Sequence, residues 1–502
     1  MTDSPQTSTK PLRSRMARSS SLHNDPANSP RKCAAGRNCG RGRRCALPIF
    51  PKPDHERFRL LLIAPRTKLC LANHRGSSMR LPRVTVPRWT KTSAEIQSAV
   101  QRRWGHCVFV IDIIRGPGSS EPLVLAELLA RPVEAITSEH ECWLALEAFQ
   151  DDLSYSERNL IEELLVQDAR ERHPFARLGW IDEAVDWISS ETGSSYRRSR
   201  ARIEQFNASP DYCLLKVSGE GQPPVWLKAA PMSLSSEYAV TLRLTERFPR
   251  YLPKVIGSRD DWSAWLSADG GWPMSKNIAA SRSLSNVGKR LAELQLASID
   301  EVPQLLSAGC RDQRIVTLSP NIRRLLPYLE ESMAAPTPAE LRLVKRSRLD
   351  EIANFVEEVC LRLDALGVPD TLLHNDISPD NILCGSDGAV FTDWAEAGVG
   401  IPFVSLELLR KQFSHAGCPE TEVQRFVALY RQNWRALLSD AIIHEIIRYL
   451  PLLTAASFLC SRQQWFTVEH RSDADFRGFA RSLARQMDRA AMLCESGYTL
   501  SA

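Results

Sequence analysis

The sequence predicts an α+β protein in which strands and helices are largely segregated along the chain, and three observations carry that expectation. Strand-like apolar runs separated by turn residues occupy residues 58–129 and 213–268. Almost everything beyond Trp272 follows a helical apolar period. One turn-broken stretch, HNDISPDNILCGSDGAVFTDW at 374–394, interrupts that helical half. With 502 residues, 43% of them hydrophobic, the chain can bury more than one core.

In chain order, residues 1–55 come first, with 11 Lys and Arg against 3 Asp and Glu and with abundant Ser, Pro and Gly. Such a composition buries too little apolar surface to offset the entropy of ordering, so it predicts a disordered basic tail. The rest of the chain holds 53 Lys and Arg against 56 Asp and Glu, which gives little reason to expect a nucleic-acid groove in the folded part. Thirteen cysteines form no C-x-x-C pair, and Cys33, Cys39 and Cys45 match no common zinc spacing. Reduced thiols are therefore expected. The N-terminus lacks the apolar block of a signal peptide, and no run reads as a membrane span, so a cytoplasmic location without membrane contact is expected.

From 56 to 138, FRLLLIAP, KLCLA, CVFVIDII and PLVLAELL read as strands around the helix TSAEIQSAVQRRWG. The order strand, helix ending in Gly105, strand resembles a Nudix domain over about 80 residues. Where that family carries metal-binding glutamates, this chain has Ser98, Ala99, Arg102 and Arg103, so the resemblance implies a module without catalysis. Residues 139–205 read as a helical connector that includes LSYSERNLIEELLVQDARERH and WIDEAVDWISSET. Residues 206–272 then predict a β-rich unit, with CLLKV and VWLKAA as a hairpin, SLSSEYAVTLRLTERF as a helix, and YLPKVIG and DWSAWLSADGG as further strands. Residues 273–502 predict a helical unit.

The opening of the interrupting stretch has the spacing H-x-D-x-x-x-x-N at His374, Asp376 and Asn381, with Asp393 twelve residues on. Phosphoryl transfer asks for this set: one aspartate to orient the attacking hydroxyl, and an asparagine and a second aspartate to hold magnesium against the phosphates. NILC, the turn GSDG and AVF predict a hairpin that brings Asn381 and Asp393 to neighbouring strand ends. A solvated turn rich in Asp and Asn is the plain alternative. Upstream, Lys228 in VWLKAA and Glu237 at the start of a helix have the order of a phosphate-anchoring lysine and its carboxylate partner, although each alone reads as an ordinary surface residue. Trp180, Trp187, Trp226, Trp262 and Trp265 read as core anchors more readily than as a stacking platform.

HNDISPDNIL followed by FTDWAEAGVGIPF resembles the aminoglycoside phosphotransferase and choline kinase group, and the resemblance runs over roughly residues 175–465. It implies a bilobal protein-kinase-like fold, with a small β-rich lobe and a large helical lobe. It further implies Mg2+, ATP or GTP as phosphoryl donor, and a small-molecule hydroxyl as acceptor. Asp376 would be the catalytic aspartate, supported by His374; Asn381 and Asp393 would be the metal ligands; Lys228 and Glu237 would anchor the nucleotide. The chain departs from the family's usual pattern at Asn375 and Asp380, where glycine is common, and at Ser405, where aspartate is common. FNASPDY also lacks a Gly-rich signature. These departures, with the appended module, give the alternative: a catalytically weak, pseudokinase-like nucleotide-binding regulatory module. The intact Asp376, Asn381, Asp393 and Lys228 oppose it.

Overall fold

The computed structural model describes residues 55–497, apart from 66, 76–77, 89–90, 116–120, 130–140, 150, 166–172, 195, 197–200, 209–211, 231–235, 278–281, 335–342, 386–387 and 462–473. The expected basic tail and its three cysteines lie outside the described residues, except for His55. The described chain is α+β and divides into two compact units, Met1–Pro231 with Ile256–Leu266, and Met232–Val255 with Ser267–Ala502.

In the first unit a mixed sheet is formed by β1 (His55–Ile63), β2 (Cys70–Arg75), β3 (Ser78–Arg80), β4 (Arg83–Pro87), β5 (Val108–Ile114), β6 (Leu123–Leu128) and β7 (Glu141–Leu144), with α1 (Thr92–Trp104) between β4 and β5. The strands run β3-β2-β1-β6-β5, with β4 paired to β1 and β7 to β2. Gly105 closes α1 in the left-handed conformation, as its place after the last apolar turn predicts. Glu141–Leu144, inside the stretch expected to be a helical connector, instead forms β7, because it finds ladder partners on the sequence-distant β2. α2 (Tyr155–Leu165) begins at a Ser154–Glu157 capping pair, in which the Ser154 amide donates to Glu157 Oε2 at 2.8 Å. α3 (Trp180–Thr192) follows where WIDEAVDWISSET predicts it.

The second sheet of this unit contains β8 (Arg202–Ala208), β9 (Cys213–Ser218), β10 (Val225–Ala229), β11 (Val255–Arg259) and β12 (Ala264–Ala268), in the order β11-β12-β10-β9-β8. β8 begins inside the stretch read as helical connector; its partner on β9 lies across a turn that a local helical period does not register. Two glutamines join the edges of the two sheets. Gln205 mimics a peptide against Val110, accepting its N–H at 2.8 Å and donating to its carbonyl at 2.7 Å, and Gln97 accepts from the Gln205 amide at 2.9 Å. One apolar core runs through both sheets and α3, from Leu61 to Leu266. Of the five tryptophans, Trp180, Trp187 and Trp262 anchor it, with Trp180 fully buried against Phe109, Phe175 and Trp262, whereas Trp226 is half-buried against Phe206 outside it. Residues from both sides of positions 138 and 205 contribute to this core.

The second unit is mostly helical. It holds α4 (Glu237–Arg247), β13 (Trp272–Pro273), α5 (Arg282–Ala297), α6 (Val302–Ser307), β14 (Arg311–Gln313), α7 (Ile315–Ala334), α8 (Arg346–Ala365), β15 (Thr371–His374), β16 (Ile382–Gly385), β17 (Gly388–Phe391), β18 (Ala397–Gly400), α9 (Phe403–His415), α10 (Glu420–Trp434), α11 (Asp440–Cys460) and α12 (Ala474–Glu495). α4 is built into this unit: Val240, Leu244 and Phe248 enter its core, and Arg243 and Arg247 both pair with Glu301. α11 is apolar and long enough to cross a membrane by length and composition, contrary to the expectation that no run approaches a span. Most of it is buried within the helical core, which accounts for its apolarity. Two three-stranded sheets interrupt the helices, β13-β16-β17 and β14-β18-β15.

Candidate active site

The short strand TLLH of β15 is buried at every position, and it delivers His374 at its end. Pro379 then opens a single 3-10 turn, Pro379–Asn381, in which the Asn381 amide donates to the Ser378 carbonyl at 3.0 Å. The expected hairpin forms next: Ile382 pairs with Phe391, Leu383 with Val390 and Cys384 with Ala389. Residues 386 and 387 of its turn lie outside the described residues.

Asn381 links the two halves of the motif. Its side-chain Nδ2 donates to the Asp376 carbonyl at 2.8 Å, and its own carbonyl accepts from the Thr392 amide at 2.9 Å. Asp393 follows directly, with φ of 64°, a left-handed conformation rare outside glycine and tolerated best by Asp and Asn. His374, Asp376, Asn381 and Asp393 are thus gathered around one hairpin base. Because Nδ2 of Asn381 is committed to a carbonyl, its Oδ1 is the atom left for other partners. The predicted pair Asn381 and Asp393 offers oxygen donors, the chemistry that magnesium prefers. Among the described residues no group of three or more His, Cys, Asp or Glu side chains is gathered as a metal cage. A cation that keeps several waters and binds through one or two protein oxygens and phosphates needs no such cage.

His374 is fully buried, and its Nε2 donates to the Thr392 carbonyl at 2.8 Å. Burial holds the imidazole below its ordinary pKa, against the opposing pull of the Thr392 bond and of Asp393 and Glu396. The ring lies 4.5 Å from that of Trp394, which is also buried. Its main-chain N–H donates to Ser405 Oγ at 3.0 Å. The serine therefore still supplies an oxygen acceptor where a carboxylate is usual. Asp380, another departure, accepts from Ser275 Oγ at 2.6 Å.

Lys228 lies on β10 of the first unit, half-buried, with its Nζ 5.6 Å from the Tyr212 ring centroid and 5.9 Å from that of Trp265. Glu237 opens α4 of the second unit and is buried. Sequence reasoning missed Gln313. It sits on the three-residue β14, too short to show any period, and its Oε1 accepts from Asn375 Nδ2 at 2.6 Å across 62 residues.

Residues 227–438 match the model described as the phosphotransferase enzyme family, APH. This is the group that the motifs resemble. The matched span takes in Lys228, Glu237, His374, Asp376, Asn381 and Asp393, is shorter than the 175–465 expected, and supports a small-molecule phosphotransferase. The N-terminal module lies outside it, and nothing in the comparisons supports its Nudix-like reading. No curated protein sequence matches the chain. Solved structures similar to it include a choline kinase from Cryptosporidium parvum Iowa II, at 12% identity over 63% of this chain and 97% of that one, with a TM-score of 0.42. They also include a macrolide 2'-phosphotransferase from Brachybacterium faecium, at 14% over 60% and 96%, with a TM-score of 0.39. A third is an aminoglycoside phosphotransferase from Streptomyces rimosus in complex with ADP and streptomycin, at 15% over 44% and 86%, with a TM-score of 0.32.

Proposed function

We propose that the protein transfers the γ-phosphoryl group of ATP or GTP to a hydroxyl of a small molecule in the cytoplasm. The observation that carries the reading is the pair of hydrogen bonds made by Asn381, donated by its side chain to the Asp376 carbonyl and accepted by its own carbonyl from the Thr392 amide, which joins the segment bearing the base to the segment bearing Asp393. In this reading Asp376 orients the acceptor hydroxyl and takes its proton, while Asn381 and Asp393 hold the metal and Lys228, with Glu237, steadies the phosphates. A magnesium ion held by these residues would supply charge neutralisation for the phosphates. His374, buried and neutral with its Nε2–H committed to Thr392, supports the loop and is not the base. The regulatory-module alternative is not favoured, since the departures at Asn375, Asp380 and Ser405 each find hydrogen-bond partners around an intact set.

The acceptor in this reading is neutral or anionic. Residues 401–502 contain 10 Asp and Glu against 12 Lys and Arg, without the carboxylate excess that pairing a desolvated polycation requires. The test incubates the full chain with γ-labelled ATP or GTP, Mg2+ and fractionated metabolites, and identifies any phosphorylated product. A labelled hydroxylated metabolite is expected. Efficient labelling of kanamycin-type polyamines would overturn the acceptor class, and absence of any Mg2+-dependent nucleotide turnover would overturn the reading itself.

A further inference from the structure

A buried chain of amides stands behind the Asp376 loop. Asn375 Nδ2 donates to Gln313 Oε1 at 2.6 Å and to the Glu396 carbonyl at 2.8 Å. Gln313 Nε2 in turn donates to the carbonyl and the hydroxyl of Ser457 on α11, at 2.6 and 2.8 Å. Asn375, Gln313 and Ser457 are 4%, 1% and 2% exposed, so these bonds form away from competing water. The bonds also fix which end of each amide is which, since carbonyl partners can only accept.

The backbone makes room for the chain. A Cβ at Gly398 would collide with Gln313 Oε1 and stand 2.8 Å from Asn375 Nδ2, and one at Gly400 would collide with the Gln313 carbonyl. Both glycines lie on β18, the strand between β14 and β15. The asparagine, the glutamine and the two glycines therefore form one arrangement. Asn375 immediately precedes Asp376, and Glu396 lies three residues beyond Asp393. A single side chain thus ties the two functional segments together on the side opposite in sequence to the Asn381 link.

We propose that Asn375 and Gln313 are positioning residues that set the placement of Asp376 relative to Asp393, and that they act on turnover and not on nucleotide affinity. The inference rests on the phosphotransfer reading above. A buried amide pair, bonded through Asn375 Nδ2 and through both ends of the Gln313 amide, restrains a loop more tightly than a glycine can, although Asn375 Oδ1 has no hydrogen-bond partner among the described residues; misplacement of a reacting group by about 1 Å costs on the order of 10²-fold in rate.

The experiment measures steady-state MgATP turnover, with water as acceptor, for the full-length wild type, Asn375→Gly, Gln313→Ala, their double variant, Asn375→Asp, Asp393→Ala and Arg348→Met. Asn375→Gly, Asn375→Asp and Gln313→Ala are expected to lower kcat about 10–10²-fold with KM for MgATP within about twofold. The double variant should be no slower than the slower single one, because the two residues act as a unit. Arg348→Met breaks the bond of Arg348 to the buried Asp488, so it should lower Tm with kcat unchanged and separate lost stability from lost positioning. Wild-type kcat in the Asn375 variants, losses that multiply in the double variant, or kcat and KM that worsen together would overturn the proposal. Should Gln313→Ala fail to fold, the shape-conserving Asn375→Asp, which keeps the outline and loses the donor, decides between loss and no loss. Wild type that turns over neither MgATP nor, in the same assay, MgGTP, or Asp393→Ala indistinguishable from it, would sink the phosphotransfer reading and this inference with it. Asp393-dependent turnover that is indifferent to residues 375 and 313 would sink the positioning role alone.

Discussion

The strand that carries Lys228 and the strand that leads into Asp376 are both short and apolar, and they are held in different ways. β10 alternates buried and half-buried residues, so Leu227 enters the core while Lys228 faces the partly open side between Tyr212 and Trp265. β15 and its neighbour β18 are buried at every position, and the polar groups near them are satisfied by Ser298, Ser405, Gln295 and Asn375. A residue on a half-open face can change chemistry at little cost to folding. A residue among buried, hydrogen-bonded groups cannot.

The largest effects should come at the hairpin base. Asp393→Ala is expected to abolish most Mg2+-dependent nucleotide binding, measured by calorimetry with and without the metal, because it deletes a hard oxygen ligand of the kind magnesium prefers. Asp376→Ala should keep that binding and lower turnover by roughly 10²–10⁴-fold. Near-wild-type turnover in both would break the assignment of the two segments to separate roles.

Lys228→Met sharpens the contrast with β10. Loss of a charge-assisted bond of about 1.5–3 kcal/mol should raise KM for MgATP roughly 10–10²-fold, with Tm close to wild type. A large fall in Tm would show that the lysine is a folding element and that the two strands are not held differently. On β18 the expectation is reversed: Gly398→Ala should cost about 3 kcal/mol in urea unfolding, the upper part of the overpacking range, as the new methyl meets the Gln313 amide.

The hairpin was legible because its cues are local. Pro379 after Ser378, apolar NILC and AVF, and glycines at 385 and 388 all act within twenty residues of one another, and Asn381 bonds to the Asp376 carbonyl and the Thr392 amide across that short span. Long-range pairing was not legible. ECWL became β7 only because β2, some seventy residues earlier, presents a matching edge, and RDQ became β14 through parallel pairing with Gly398–Gly400. Periodicity reports what a segment does alone, and a three-residue strand has no period. Gln313 was invisible for the same reason, and the placement of α4 within the helical unit depends on Glu301, far along the chain from Arg243.

The smallest effect concerns Asp370, which ends the approach to β15 and tests whether the buried side of the comparison is polar at a cost. Its carboxylate accepts the Ile315 amide at the start of α7 at 3.2 Å. Burial pushes its pKa up to about 6 from the ordinary 3.8, with Asp312 and Asp364 adding to the rise and the Ile315 bond and Arg314 opposing it. A raised carboxyl pKa means that the folded state binds the proton more tightly than the unfolded chain does. Its contribution to stability is then fully present below about pH 4 and is lost as pH rises through about 6. Asp370→Asn keeps an acceptor for Ile315 and removes the charge. It should match wild type below pH 4 and be more stable at pH 7 to 8, by no more than about 3 kcal/mol and by less where water reaches the partly open carboxylate. Urea unfolding of both proteins across pH 4 to 8 reads the difference directly. A gap that stays constant with pH would show that Asp370 is paired well enough to be charged throughout, and that β15 is approached through polar contacts as well satisfied as those behind it.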